Sequence, residues 1–253
     1  MTLENFDILN GIFNLVFVGI SIVLGIIILR KYFKNRNPNF IFMGTTLIFL
    51  TSGWYGTSAS FLVAVIFGNE GLSFELIMLL NFIPLPFGLI SWIIVFTNLL
   101  YKNFQKIILG MIVIITIFFY VVFIYALFTN PNSVGNKISP VDTSGNSLFL
   151  LSYVFIFIII VLVTGIRFAY ETMNYEDSET KWKGRLLMLA FPTFCIGGFL
   201  DSTITSSELT LIIFRIILII SAFEFYGGFI LPKWLKKLLI KKEQEGSSTK
   251  NRL

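Results

Sequence analysis

About 20 consecutive apolar residues form a helix long enough to cross a bilayer core. Seven blocks of roughly that size or longer follow one another in this chain, at residues 11–29, 40–67, 76–100, 107–128, 148–168, 186–205 and 209–231. Closed strand barrels show short alternating segments rather than solid apolar blocks, so strands are disfavoured. Only 13% of the residues are charged, against about a quarter in soluble domains. The expected fold class is an all-α membrane protein in which residues 1–232 form a seven-transmembrane helix bundle, with no length left for a soluble domain. The second and third blocks exceed the minimum, so tilt or an interfacial extension is expected there.

Basic residues set the orientation. All of the 19 Lys and Arg residues except Lys137 and Arg215 fall in alternate loops or in the tail, on one side of the predicted bundle. The positive-inside tendency then puts the N-terminus outside and the C-terminus in the cytoplasm. A multi-pass protein of the cell membrane is expected, with the first span as a retained reverse anchor. The net charge of +5 reflects topology, and no nucleic-acid partner is expected. Residues 129–147, rich in Asn, Ser, Gly and Pro, are read as an irregular external loop. Residues 174–185 mix both charge signs and are read as a solvated helical extension.

After the last span, Trp234, Leu235, Leu238 and Leu239 share one helical face, and lysines occupy much of the rest. Residues 233–245 are read as a short amphipathic helix in the membrane interface. The predicted partners there are the lipid bilayer and its anionic inner-leaflet lipids, met by Lys233, Lys236 and Lys237. Residues 246–253 are read as a disordered tail.

Several chemistries lack their residues. There is no histidine, which removes the commonest proton shuttle and metal ligand. The single cysteine, Cys195, lies in an apolar run and reads as a small buried hydrophobe. No paired acid and base constellation is visible, and no cofactor is implied. The chain is therefore read as non-enzymatic.

Ionisable groups inside a membrane are costly, and three stand out. Asp201 and Arg215 are equidistant from a turn near Glu208, so an antiparallel hairpin brings them to similar depth, about 10 Å from that turn. A salt bridge is expected, with Glu208 as a second candidate partner for Arg215. Glu224 lies nine residues beyond Arg215, about 900° of helix rotation away and hence on the opposite face. Ser221, Gly227 and Gly228 share its side of the helix, which predicts that it points into the bundle, toward a polar cavity or a partner helix.

Other features concern the backbone. Gly44, Thr51, Tyr55 and Ser58 form a stripe on the second span, with Trp54 adjacent. Asn81 precedes Pro84 and Pro86 by about one turn; two mid-span prolines remove backbone donors and predict a kinked or unwound helix. Pro192, with Gly197 and Gly198, marks a second candidate kink. The ligand-binding or switch residues read from the sequence are Glu224, Asp201, Arg215, Trp54, Tyr55 and Asn81.

The segments TSGWYG, NFIPLPFG and SWIIVFTNLLYK resemble those of prokaryotic seven-helix sensor domains, some fused to histidine kinases, and of standalone archaeal proteins of that shape. The resemblance implies a receptor-like or sensory protein that binds a small molecule and signals to a cytoplasmic partner. No kinase segment follows the seventh span, a departure from the fused sensors. Abundant Ile, Phe, Asn and Lys suit a prokaryotic source. Retinal proteins need a lysine within the last span, which is missing here. Intramembrane aspartyl proteases need a Gly-x-Gly-Asp motif that GGFLD does not meet. A small-molecule or proton-coupled transporter, with Glu224 as the proton-binding carboxylate, is the alternative.

Overall fold

The computed structural model describes residues 3–145, 147–203 and 207–239. Seven helical segments in it are long and apolar enough to cross a membrane. Five are single helices: α1 (Asn5–Asn35), α6 (Gln105–Thr129), α7 (Leu148–Met173), α8 (Ser178–Thr203) and α9 (Glu208–Ile230). The second and third are each broken in two. The second is α2 (Asn39–Leu50), a tight 3₁₀ turn (Thr51–Trp54) and α3 (Tyr55–Phe67); the third is α4 (Phe74–Phe82) and α5 (Leu85–Leu100).

The starts of these helices are written locally. Ser73, Ser147 and Ser207 cap α4, α7 and α9 by accepting the backbone N–H three residues on, and Glu4 with Asp7 forms a reciprocal capping box on α1. At the other end of α1, Arg36 closes the helix in a left-handed conformation.

The two breaks repair each other. Pro84 and Pro86 cannot donate to the helical ladder, and the helix breaks between Phe82 and Leu85, so carbonyls at the break need partners from elsewhere. The carbonyl of Asn81 accepts Ser52 Oγ at 3.0 Å, and that of Ile83 accepts the Tyr120 hydroxyl at 2.6 Å. In return, Asn81 Oδ1 accepts the backbone N–H of Gly56 at 2.6 Å. That contact needs glycine: a Cβ at Gly56 would lie 2.3 Å from the carbonyl oxygen of Ile77. The expected break at the prolines is present. The break at Thr51–Trp54 was not foreseen, and it ends the single helical face proposed for Gly44, Thr51, Tyr55 and Ser58. Pro192, the second candidate kink, lies inside α8, which is unbroken from Ser178 to Thr203.

The bundle closes as a ring in which α1 packs on α2, α2 on α5, α5 on α7, α7 on α8, α8 on α9 and α9 on α1. Helix α6 lies against α5 and stacks Phe119 on Tyr153 of α7 at 3.7 Å between ring centres. Trp92 of α5 sits fully buried at the centre of the packed half, among Phe96, Phe168 and Phe191. Its Nε1 donates to Thr164 Oγ1 of α7 at 2.7 Å, so the one polar atom of the indole is satisfied inside the apolar cluster.

Between α6 and α7, the segment expected to be irregular forms an antiparallel hairpin, β1 (Gly135–Lys137) with β2 (Thr143–Gly145). Its anchors explain the order. Val134 and Val141 are buried. Lys137 Nζ donates to the carbonyls of Glu70 and Leu72 at 2.6 and 2.7 Å. Ser60 Oγ donates to the carbonyl of Pro140 and accepts the N–H of Leu72. Gly71, at φ +74°, fits under this junction because a Cβ there would meet Ser60 Oγ at 2.3 Å. The hairpin and the start of α1 lie at one end of the bundle, and most of the basic loops lie at the other.

After α9, Leu231 adopts a left-handed conformation and residues 233–239 are helical. Lys236 pairs with Glu179 of α8. The remainder of the expected amphipathic segment, and the tail at 246–253, lie outside the described residues.

Candidate functional site

Under the hairpin lies a cavity of about 660 Å³. Both interruptions open onto it, through Gly53 and Trp54 of the second span and Asn81, Phe82 and Leu85 of the third. The hairpin contributes Asp142 and its neighbours as a roof.

Its charged wall is built from four parts of the chain. Arg215 of α9 donates from Nη1 to Asp201 Oδ2 of α8 at 2.9 Å and from Nη2 to Asn10 Oδ1 of α1 at 3.2 Å. Trp54, on the 3₁₀ turn, donates from Nε1 to the same Asp201 oxygen at 2.7 Å. Asn14 donates to Asn10 Oδ1 at 2.8 Å, which orients that amide toward the arginine. The Arg215 and Asp201 side chains are only 6% and 10% exposed. Burying two charges costs several kcal/mol per ion, and the extra hydrogen bonds from Trp54 and to Asn10 offset part of that cost. The guanidinium also lies 5.9 Å from the centre of the Trp54 ring, which is held edge-on by Phe17 and Phe194.

Asp142 adds a third charge. Its Oδ1 accepts the N–H of Thr143 at 2.9 Å. Burial pushes its carboxyl above the usual carboxylate range; Thr143 and Arg215 oppose that shift, and Asp201 and Asp7 add to it. None of the ion pairs among the described residues includes it.

Of the six residues expected from the sequence, the cavity brings together Asp201, Arg215, Trp54 and Asn81. Tyr55 is elsewhere: its hydroxyl turns back to the carbonyl of Ile48 at 2.6 Å, because the 3₁₀ turn rotates it away from the wall. Glu224 is also not a cavity residue. It is half-buried on the seam between α9 and α8, beside Thr193, and its Oε2 is buried with no hydrogen-bond partner among the described residues. Glu208, the second partner considered for Arg215, is exposed in the first turn of α9, and Asn10 fills that role.

Asn10 and Asp142 were missed. For Asn10 a signal existed: Asp7, Asn10, Asn14 and Ser21 are spaced by three, four and seven residues, one helical face, and all four are buried. The first two precede the apolar block and were left out of the span. For Asp142 no local signal exists, since its place over the cavity depends on how the hairpin is tied down.

The architecture is that of a multi-pass membrane protein with a roofed cavity, lined by both apolar and polar side chains, at one end of a seven-helix bundle. No protein-family model, curated protein or solved structure matches the chain.

Proposed function

We propose that this chain is a receptor-like or sensory membrane protein whose cavity binds a small molecule and whose basic loops and tail engage a cytoplasmic signalling partner. The observation that carries the reading is the charged wall, in which α1, the 3₁₀ turn, α8 and α9 converge on Asp201 and Arg215 at the edge of a roofed cavity. A bound molecule that touches this wall touches four segments at once, and differential contacts of that kind can bias a two-state bundle. The interrupted spans supply joints at which such a bias can be absorbed.

In this reading the hairpin end faces outward and the basic loops face the cytoplasm of the cell. Lys233, Lys236 and Lys237 lie on anionic lipid at the inner surface, with Lys236 shared between lipid and Glu179. Single cysteines placed at Ser139 and at Lys34 in a Cys195→Ala background test the orientation. An impermeant maleimide applied to intact cells is expected to label only the first. For the binding function, hydrogen exchange on reconstituted protein is the test. A stabilising compound is expected to slow exchange in the hairpin and to change it in residues 174–177 at the opposite end; a change confined to the hairpin rejects signalling.

A transporter is the second reading, favoured by the two broken helices at the cavity, an arrangement found at substrate sites of transporters. Substrate-driven proton flux into liposomes, lost in Glu224→Gln, would select it over the receptor.

A further inference from the structure

The cavity shares part of its lining with a groove in the bundle wall. Leu151, Val154 and Ile158 of α7, with Ser202 and Thr203 of α8, line both the cavity and a second groove of about 270 Å³ on the α7–α8 seam. The outer lip of that groove is Phe155 and Phe199, both exposed, with ring centres 6.4 Å apart. On a membrane-spanning bundle this lip faces the lipid chains, next to the shared lining of the cavity.

Charge inside the cavity is unbalanced. Arg215 and Asp201 neutralise each other in one ion pair. Asp142 lines the same space and belongs to none of the ion pairs among the described residues. A carboxylate in such a site calls for a cation. Among the described residues no set of three His, Cys, Asp or Glu side chains converges as a metal site would require, which favours an organic cation. The aromatic face of Trp54, already set near one cation, adds to the preference. The rest of the wall, including Met78, Leu150, Phe157 and Phe194, suits a hydrocarbon chain.

We propose that the cavity takes an amphiphile whose ammonium head sits against Asp142 and whose alkyl chain passes out between α7 and α8 into the bilayer. This rests on the binding function proposed above and names the ligand class. An ammonium-bearing lipid and a free long-chain amine share that chemistry.

The test uses the full chain in uncharged maltoside micelles, with thermal unfolding as the readout. Decylammonium is expected to raise the unfolding temperature, and decanol at equal concentration is not. Asp142→Asn is expected to weaken decylammonium binding about tenfold or more, while Asp142→Glu, which keeps the charge, restores most of it. Ser202→Trp, which fills the groove, is expected to abolish the response. Added phosphatidylethanolamine that competes with decylammonium identifies a lipid as the source; failure to compete identifies a free amine, and both support the ligand class. Equal effects of decanol and decylammonium, or undiminished binding by Asp142→Asn, would overturn the proposal. An ethylammonium response as large as that of decylammonium, lost in Asp142→Asn, would overturn the chain and the lateral entry while leaving cavity binding intact. No response from any compound in the wild type would overturn cavity binding as well.

Discussion

The two ends of this bundle solve the same problem in opposite ways. At the basic-loop end, helices are continuous and close-packed: Trp92 is ringed by phenylalanines, and Leu187 of α8 sits directly over Gly228 of α9. At the hairpin end, two spans are broken, three acids and an arginine gather, and a cavity remains. Helix α9 runs through both. It carries Arg215 in the open half, held by Asp201 and Asn10 and near the Trp54 ring, and Glu224 in the packed half, beside Thr193 alone among the named polar partners. Both are single charges in an apolar helix and look alike in the sequence. The difference lies in how many other segments reach each of them: α1, the 3₁₀ turn and α8 converge on Arg215 and its partner Asp201, whereas Glu224 lies on the seam between α8 and α9.

The sharpest way to break this contrast is to remove one member of the buried pair. Arg215→Met leaves Asp201 uncompensated and is expected to cost about 3–5 kcal/mol. The double variant Arg215→Met/Asp201→Asn should recover a large part of that. Chemical unfolding in a lipid-like environment reads the cycle, and equal losses in single and double variants would mean that the pair is not coupled.

Next in size is the joint between the broken spans. Asn81→Ala strands the Gly56 N–H and is expected to cost about 1–3 kcal/mol. Asn81→Leu, of similar volume but with no acceptor oxygen, should cost about as much; a leucine variant as stable as the wild type would show that Asn81 is not acting through Gly56.

A pH titration then probes the roof. Burial holds Asp142 above the ordinary carboxylate value of 3.8, so the folded chain takes up this proton more readily than the unfolded one. The stability it contributes is complete below pH 3.8 and is lost as pH rises through the raised folded value. Asp142→Asn is expected to flatten that portion of the stability curve and to make the protein relatively more stable near neutral pH. An unchanged curve would place Asp142 in water.

Smaller still is the tether. Lys137→Gln removes the ammonium that joins the hairpin to the carbonyls of Glu70 and Leu72, and faster hydrogen exchange across residues 135–145, with little change in global stability, is the expected result. Protection equal to wild type would show that Val134, Val141 and Ser60 suffice.

Much of this was legible in the chain because the bilayer imposes it. Seven apolar blocks become seven helical segments, and prolines at 84 and 86 break the span where they stand, since a missing N–H acts locally. The Asp201–Arg215 pair was legible from its symmetry about a turn. What escaped depends on contacts between distant segments. The 3₁₀ turn at Thr51–Trp54 contains no proline, and its hydrogen bonds run to Asn81 on another span, 29 residues beyond Ser52. Asp142 reaches the cavity only because Lys137 and Ser60 pin the hairpin, and helical periodicity left two aims open for Glu224, a cavity or a partner helix; it lies beside Thr193 of α8.

The most direct measurement is ligand-induced thermal stabilisation across a broad small-molecule panel, with wild type beside Gly53→Phe and Glu224→Gln. Gly53 lines the cavity, and a Cβ there meets no atom within 4 Å, so the backbone leaves room for a side chain to start into the space. The expected result is that compounds stabilising the wild type fail on Gly53→Phe and act undiminished on Glu224→Gln. Stabilisation that survives Gly53→Phe and disappears in Glu224→Gln would contradict the account and move the binding site to the α8–α9 seam.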